Sequence, residues 1–334
     1  MATAPTRTKR SGVTTAATAT TTTTSTAKSP IRKTVSSGPQ VVRKVESSQS
    51  PPFKITPAGQ RRRWLKLMVY GEYGVGKTHL AGTAANVKEM RDVLLINAES
   101  GDLTLFDPTG GIAYQYIDQV EVTNYKTLER IHRFLKKHCQ LRDSDDPEAV
   151  EQLRELEARL REGGDSSSDG SEPRRYRTVI LDSLTEIESY CMYQLLGITD
   201  NTGLAEEVAS AEWAEYKRQN SMIQRLIRDF RNLPLHVIIV CAARYDQDEK
   251  KRMIYTPALT GQLRKQAQGF MDMVGYLVTL QANEDGVLPR RLYVQPGTKY
   301  AAKNRFTAFK GSYIDNPTLE GILKAIGLSL QEQS

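Results

Sequence analysis

The sequence predicts an α/β fold in which a mostly parallel central sheet is flanked by crossover helices, and three observations carry that prediction. Short apolar runs of strand length alternate with helix-spaced segments from Trp64 to Leu328. A glycine-rich turn joins the first apolar run to the first helix, and a later run, Val179–Leu181, stops at Asp182. The composition, 39% hydrophobic and 25% charged over 334 residues, suits a soluble domain with a large core. No apolar run reaches the roughly 18 residues needed to span a bilayer, so a membrane protein is excluded.

Residues 1–60 are rich in Thr, Ala, Ser and Pro, with an unbroken run at Thr20–Thr24, and hold almost no large apolar side chain. Such a segment buries too little to offset chain entropy and is expected to be disordered. Its poverty in acids also suits a transit peptide, but its first half lacks an amphipathic face, so it reads as a plain tail. Order begins at Trp64, with one domain expected over 64–328. Leu65–Tyr70 is a buried strand ending at Gly71, Lys77 to Val87 has helical composition, and Val93–Asn97 is again strand-like. An edge strand is expected at Ala113–Ile117. Asn124–Leu141 sets Leu128, Ile131, Leu135 and Cys139 at helical spacing.

Residues 143–175 interrupt the alternation as a charged insertion. It is helical from Pro147 to Glu162 and flexible through the Gly, Ser and Asp of 163–173. The core resumes with a strand at Thr178–Leu181, a helix at Leu184–Leu196, a loop at Gly197–Ser210, a helix at Ala211–Leu233 and a strand at His236–Cys241. Tyr276–Leu280 and Arg291–Val294 form a hairpin turned at Asp285-Gly286. Asp315-Asn316-Pro317 supplies a cap and an N1 proline for a last helix, Thr318–Leu328.

Charge is divided unevenly along the chain. Residues 1–63 hold twelve Lys and Arg against Glu46, or +11, while the remaining 34 basic and 38 acidic residues sum to −4, giving the net +7. Bulk charge therefore does not make the folded part a nucleic-acid binder; local patches or the tail must do so. Cys139, Cys191 and Cys241 are odd in number and form no C-x-x-C pair, and the four histidines lack ligand spacing. Neither a disulfide scaffold nor a zinc site is expected, and a cytoplasmic location is.

The strongest motif is Gly71-Glu72-Tyr73-Gly74-Val75-Gly76-Lys77-Thr78, a complete G-x-x-x-x-G-K-[ST] phosphate loop between strand and helix. Its glycines let backbone N–H groups curl around phosphates, Lys77 reaches the β/γ oxygens and Thr78 ligates Mg2+. A second metal partner is needed at the end of a neighbouring apolar strand, and Asp182 supplies it. Glu99, just beyond Val93–Asn97, stands at the edge where parallel sheets bind ligands and is the candidate to polarise a water; a solvated loop acid is the alternative. His79 is a candidate phosphate contact, with packing or solvation as its plainer reading. No N-K-x-D motif for guanine exists, so ATP is expected rather than GTP.

In order, the phosphate loop, Ile96-Asn97-Ala98-Glu99, Ile180-Leu181-Asp182-Ser183, an apolar strand and Lys303-Asn304-Arg305 resemble the RecA-type recombinase core. Within that group the chain is similar to shortened phage ATPases of the AAA-family and Sak-type single-strand-annealing proteins. The resemblance covers Trp64 to Leu328. It implies an ATPase with Glu99 as the water-activating carboxylate, and Lys303 and Arg305 reaching the γ-phosphate of a neighbouring protomer; a solvated basic hairpin end is the alternative for that pair. It further implies a homo-oligomer with composite ATP sites, single-stranded DNA as ligand, a single-strand-binding protein as a candidate partner, and the host cytoplasm if the gene is a phage's. Ala242-Ala243-Arg244 departs from the polar sensor usual after that apolar strand. The DNA loops would be 197–210, which is acidic, and 244–263, with Lys250-Lys251-Arg252, Tyr245 and Tyr255. A nucleotide-dependent switch or assembly protein that does not bind DNA is the other reading, and a small-molecule kinase a weaker third.

Overall fold

In a computed structural model of the chain, β1 (Lys66–Gly71) is buried along its whole length and lies inside the sheet. The structure describes residues 63–328 apart from 107, 108, 110, 161–171, 200, 248–250, 285 and 287, together with Ile55 and Pro57. Apart from those two residues, the expected tail lies outside the described residues, as do most of the expected flexible stretch 163–173, Lys250 and Asp285.

β1 pairs in parallel with β5 (His236–Gln247) on one side and β7 (Met273–Thr279) on the other. Beyond β5 follow β4 (Thr178–Asp182), β2 (Val93–Asn97) and β3 (Ile117–Glu121), all parallel. Beyond β7 the sheet turns antiparallel through β8 (Arg290–Tyr293) and β10 (Tyr313–Asp315). Two short antiparallel additions complete it: β6 (Met253–Pro257) on the outer half of β5, and β9 (Lys303–Asn304) on the start of β7. The parallel order β7-β1-β5-β4-β2 places the glycine-turn strand between two later strands, in an α/β fold with a mostly parallel central sheet flanked by helices.

The continuous apolar runs of β1, β2 and β4 reflect burial on both faces. Met68, Leu94, Leu181 and Ile239 face α2 (Tyr125–Leu141), α4 (Leu184–Leu195) and α5 (Trp213–Asn232). Leu67, Leu95, Ile180 and Ile238 face the other way, against α1 (Lys77–Gly82) and α7 (Leu319–Ala325). Side chains at N-caps fix helix starts: Asn124 accepts from Thr127 N, Ser183 from Glu186 N and Thr318 from Gly321 N. α3 (Pro147–Ala158), within the insertion, buries Leu153 and packs on α2.

Four expectations need correction. The edge strand runs over Ile117–Glu121, because Tyr114–Tyr116 forms a 3-10 turn and the pairing with β2 starts only at Ile117. α1 ends at Gly82, where the Thr83 hydroxyl bonds the Leu80 carbonyl and accepts from Leu319 N, tightening the chain into a 3-10 turn. The last helix is capped by Thr318 rather than by Asp315 or Asn316. The stretch after Cys241 continues as strand to Gln247 and folds back as β6, and an unforeseen α6 (Leu263–Phe270) follows.

Lys66 carries a consequence for stability. Its ammonium is buried and donates to the carbonyls of Leu233 (2.9 Å) and Leu235 (2.5 Å), and burial lowers its pKa to about 7 despite the opposing charge of Asp272. The unfolded chain, with an ordinary lysine near 10.5, then binds more protons than the native state across the window from about 7 to 10.5, so stability rises with pH there. Chemical denaturation at pH 7 and pH 8.5 should show a gain of about 1.4 kcal/mol per pH unit. A Lys66→Met variant should lose that slope; the same slope in the variant would assign it elsewhere.

Candidate functional site

The loop between β1 and α1 is shaped by three glycines. Gly74 and Gly76 have φ of 75° and 89°, in the left-handed region that other residues enter only with strain. Gly71 lies so close to β7 that a Cβ there would sit 2.5 Å from the Leu277 carbonyl oxygen. Tyr73 stands out of the loop, 75% exposed, with the Lys77 ammonium 5.6 Å from its ring centroid. Lys77 itself is buried and donates to the Glu72 carbonyl at 2.8 Å. Burial lowers its pKa, while the nearby charges of Glu99 and Asp182 oppose that shift.

Thr78 and Asp182 meet directly, the Thr78 hydroxyl donating to Asp182 Oδ2 at 2.5 Å. β4 delivers the carboxylate to the carboxyl edge of the sheet, two strands from β1, and the Asp182–Ser183 peptide is cis. Burial raises the Asp182 pKa to about 6, partly countered by the Thr78 hydrogen bond. A buried carboxylate beside a hydroxyl is a hard-oxygen pair that suits Mg2+, which characteristically takes one or two protein oxygens and completes its shell with phosphates and water. Among the described residues no group of three or more His, Cys, Asp or Glu is placed to hold a metal ion.

Glu99 is positioned by register. Asn97 on β2 pairs with Asp182 on β4, and the next residue, Ala98, donates its N–H to the Asp182 carbonyl at 2.6 Å. The Ala98 carbonyl accepts from the Tyr190 hydroxyl at 3.1 Å, so the backbone before Glu99 is held from two sides. Ser100 follows in the left-handed region, and a Cβ on Gly101 would lie 3.8 Å from the Thr78 hydroxyl. Lys77, Thr78, Glu99 and Asp182 are thereby gathered at one edge. Together they can bind phosphate, hold a divalent cation and polarise a water.

Lys303 and Arg305 are elsewhere. β9 pairs with Met273 and Val274 at the start of β7, level with the first half of β1, whereas the phosphate loop lies at its end. The Lys303 ammonium donates to the carbonyls of Gln268, Gly269 and Met271 at 3.0, 3.0 and 2.7 Å, around the end of α6. Arg305 bonds Asp272 at 3.2 Å and the Gly269 carbonyl at 3.1 Å. Both cations compensate the carbonyl end of that helix and the turn after it.

The β5–β6 hairpin differs from a simple basic loop. Arg244 and Arg264 both pair with Asp246, and Lys251 and Arg252 are the described cations at the tip. Tyr255 is not open for base stacking, since its ring lies 4.7 Å from that of Tyr245 and 5.1 Å from that of Tyr276. It belongs to a column that continues through Tyr300 and Tyr293. Tyr245 is 54% exposed and ends the column. The 197–210 loop is largely exposed and presents Leu204 with Glu206 and Glu207.

One residue near the loop gave no signal in the sequence. Arg290, at the start of β8, rests its guanidinium on Gly76, and Nη1 lies 3.4 Å from His79 Nδ1. Only the pairing of β8 with β7, and of β7 with β1, brings it there. His79 thus faces an arginine across the loop.

A family model described as AAA domain matches residues 63–306. Among solved structures, the crystal structure of the flagellar accessory protein FlaH from Methanocaldococcus jannaschii is similar at 11% identity, covering 75% of this chain and 83% of that one, with a TM-score of 0.34. No curated protein matches the chain.

Proposed function

This chain belongs to the AAA domain family, whose members carry a nucleotide-binding ATPase domain, and from that membership we propose that it hydrolyses ATP with Mg2+ in DNA recombination, single-strand annealing or replication. The observation that carries the hydrolytic reading is the convergence of the Thr78 hydroxyl and the Asp182 carboxylate beside Lys77 and Glu99. Lys77 and the loop N–H groups bind and orient the phosphates. Glu99 orients a water for in-line attack on the γ-phosphorus and accepts its proton. Mg2+ held by Thr78 and Asp182 would neutralise charge on the leaving oxygens.

The DNA part of the reading is supported by Lys251 and Arg252 at the tip of the β5–β6 hairpin, with exposed Tyr245 at its base, and by the +11 charge of residues 1–63. A phage source and a homo-oligomer with composite sites belong to the same proposal. In it, Arg305, whose side chain is 54% exposed, would leave Asp272 to reach a neighbour's phosphate. The other reading, a nucleotide-dependent switch that does not touch DNA, is favoured by the acidic, exposed 197–210 loop. ATPase rate with and without single-stranded DNA separates them. Strong stimulation that fades with added salt is expected, because each phosphate contact releases counterions; an unchanged rate supports the switch.

A further inference from the structure

We propose that Arg290 is a nucleotide-binding residue of its own protomer, which grips the α- and β-phosphates of a nucleoside di- or triphosphate seated in the phosphate loop. The inference rests on the nucleotide-binding reading of that loop. An ideal Cβ on Gly76 would lie 2.6 Å from Arg290 Cζ, 2.8 Å from Nε and 2.9 Å from Nη1, so the guanidinium covers the last glycine of the loop. Arg290 Nη1 also lies 3.4 Å from His79 Nδ1, one turn into the helix that follows the loop.

The backbone of Arg290 is pinned by two hydrogen bonds with Asn316. Arg290 N donates to Asn316 Oδ1 at 3.1 Å, and Asn316 N donates to the Arg290 carbonyl at 2.7 Å. The adjacent Arg291 is fully engaged, forked onto Asp315 at 2.6 and 3.2 Å with its guanidinium 3.8 Å from the Tyr313 ring centroid. Arg290 has no such partner: among the described residues no carboxylate lies within ion-pair distance of it. A planar, permanently charged fork beside a phosphate loop, without an acid of its own, is matched to a phosphate oxygen pair.

Strand order decides which phosphate. Asp182 and Glu99 reach the loop from β4 and β2, on the β5 side of β1, and Arg290 reaches it from β8, on the β7 side. Metal binding and water activation therefore occupy one flank, where the γ-phosphate must lie, and Arg290 the other. Its contacts, Gly76 and His79, lie where loop and helix N–H groups cradle the α- and β-phosphates.

Calorimetric titration of the full chain with Mg·ADP and with a non-hydrolysable Mg·ATP analogue tests this. Arg290→Ala should weaken both ligands by the same factor, roughly tenfold to hundredfold for a lost charge-assisted pair. Arg290→Gln, which keeps a donor and most of the side chain's bulk, should behave alike and guards against a folding defect, with thermal unfolding as the control. Unchanged affinity for both nucleotides would return Arg290 to the surface. A loss confined to the triphosphate would place it at the γ-phosphate and overturn the assignment. A wild-type chain that binds neither nucleotide would overturn the reading of the loop, and the role of Arg290 with it.

Discussion

Lys77→Ala should abolish nucleotide binding and turnover while leaving the fold intact. The ammonium is the one lysine charge inside the loop, and its protein acceptor is a single carbonyl, that of Glu72. Removing it leaves ligand charge unpaired at a site shielded from water, a loss of about 2–5 kcal/mol, or some thirtyfold to several thousandfold in affinity. Alanine is the best helix former, so the start of α1 does not suffer. Binding of a fluorescent ATP analogue, read beside far-UV circular dichroism, measures both halves. Hydrolysis at the wild-type rate in this variant would end the ATPase proposal.

Glu99→Gln should separate binding from chemistry. The backbone at this position is fixed by Ala98, through its bonds to Asp182 and Tyr190, and glutamine preserves size. What is lost is the ability to take a proton from water, which is worth about 10²–10⁴ in rate. The negative charge of Glu99 also raises the Asp182 pKa, behind the larger effect of burial, so its removal should not weaken the metal carboxylate. Single-turnover hydrolysis should fall by that factor with nucleotide affinity kept within a few fold. Parallel loss of binding would make Glu99 a structural or metal-shell residue instead.

Much of the site was legible because its parts are local. A glycine loop between strand and helix, and an acid ending an apolar strand, are read from consecutive residues, and Lys77, Thr78, Glu99 and Asp182 are indeed gathered. Arg290 was not legible, since it reaches Gly76 only through two strand pairings and 214 residues of separation, and a lone arginine in a hairpin carries no motif. The same physics sorted the elements. β1, β2 and β4 are apolar on both faces and stand out as runs. β3, with sequence Ile-Asp-Gln-Val-Glu, is a half-exposed edge whose polar residues hide it. α6 has no side-chain cap to announce it, and β9 is two residues long and defined only by its partner. The last helix showed its cap region, but Thr318 won because Asn316 is held at φ 43° by its bonds to Arg290.

The interior position of β1 bears on how the chain is made. It is synthesised before its partners, the first of which, β5, begins roughly 170 residues later, and at about 5–20 residues per second the strand waits on the order of 10–35 seconds to be paired. Its sequence, Lys-Leu-Met-Val-Tyr-Gly, is apolar on both faces and presents two open edges meanwhile. Nascent chains arrested before His236 should therefore recruit chaperones and aggregate when released, whereas chains that extend past Thr279 should not, because both edges of β1 are then closed.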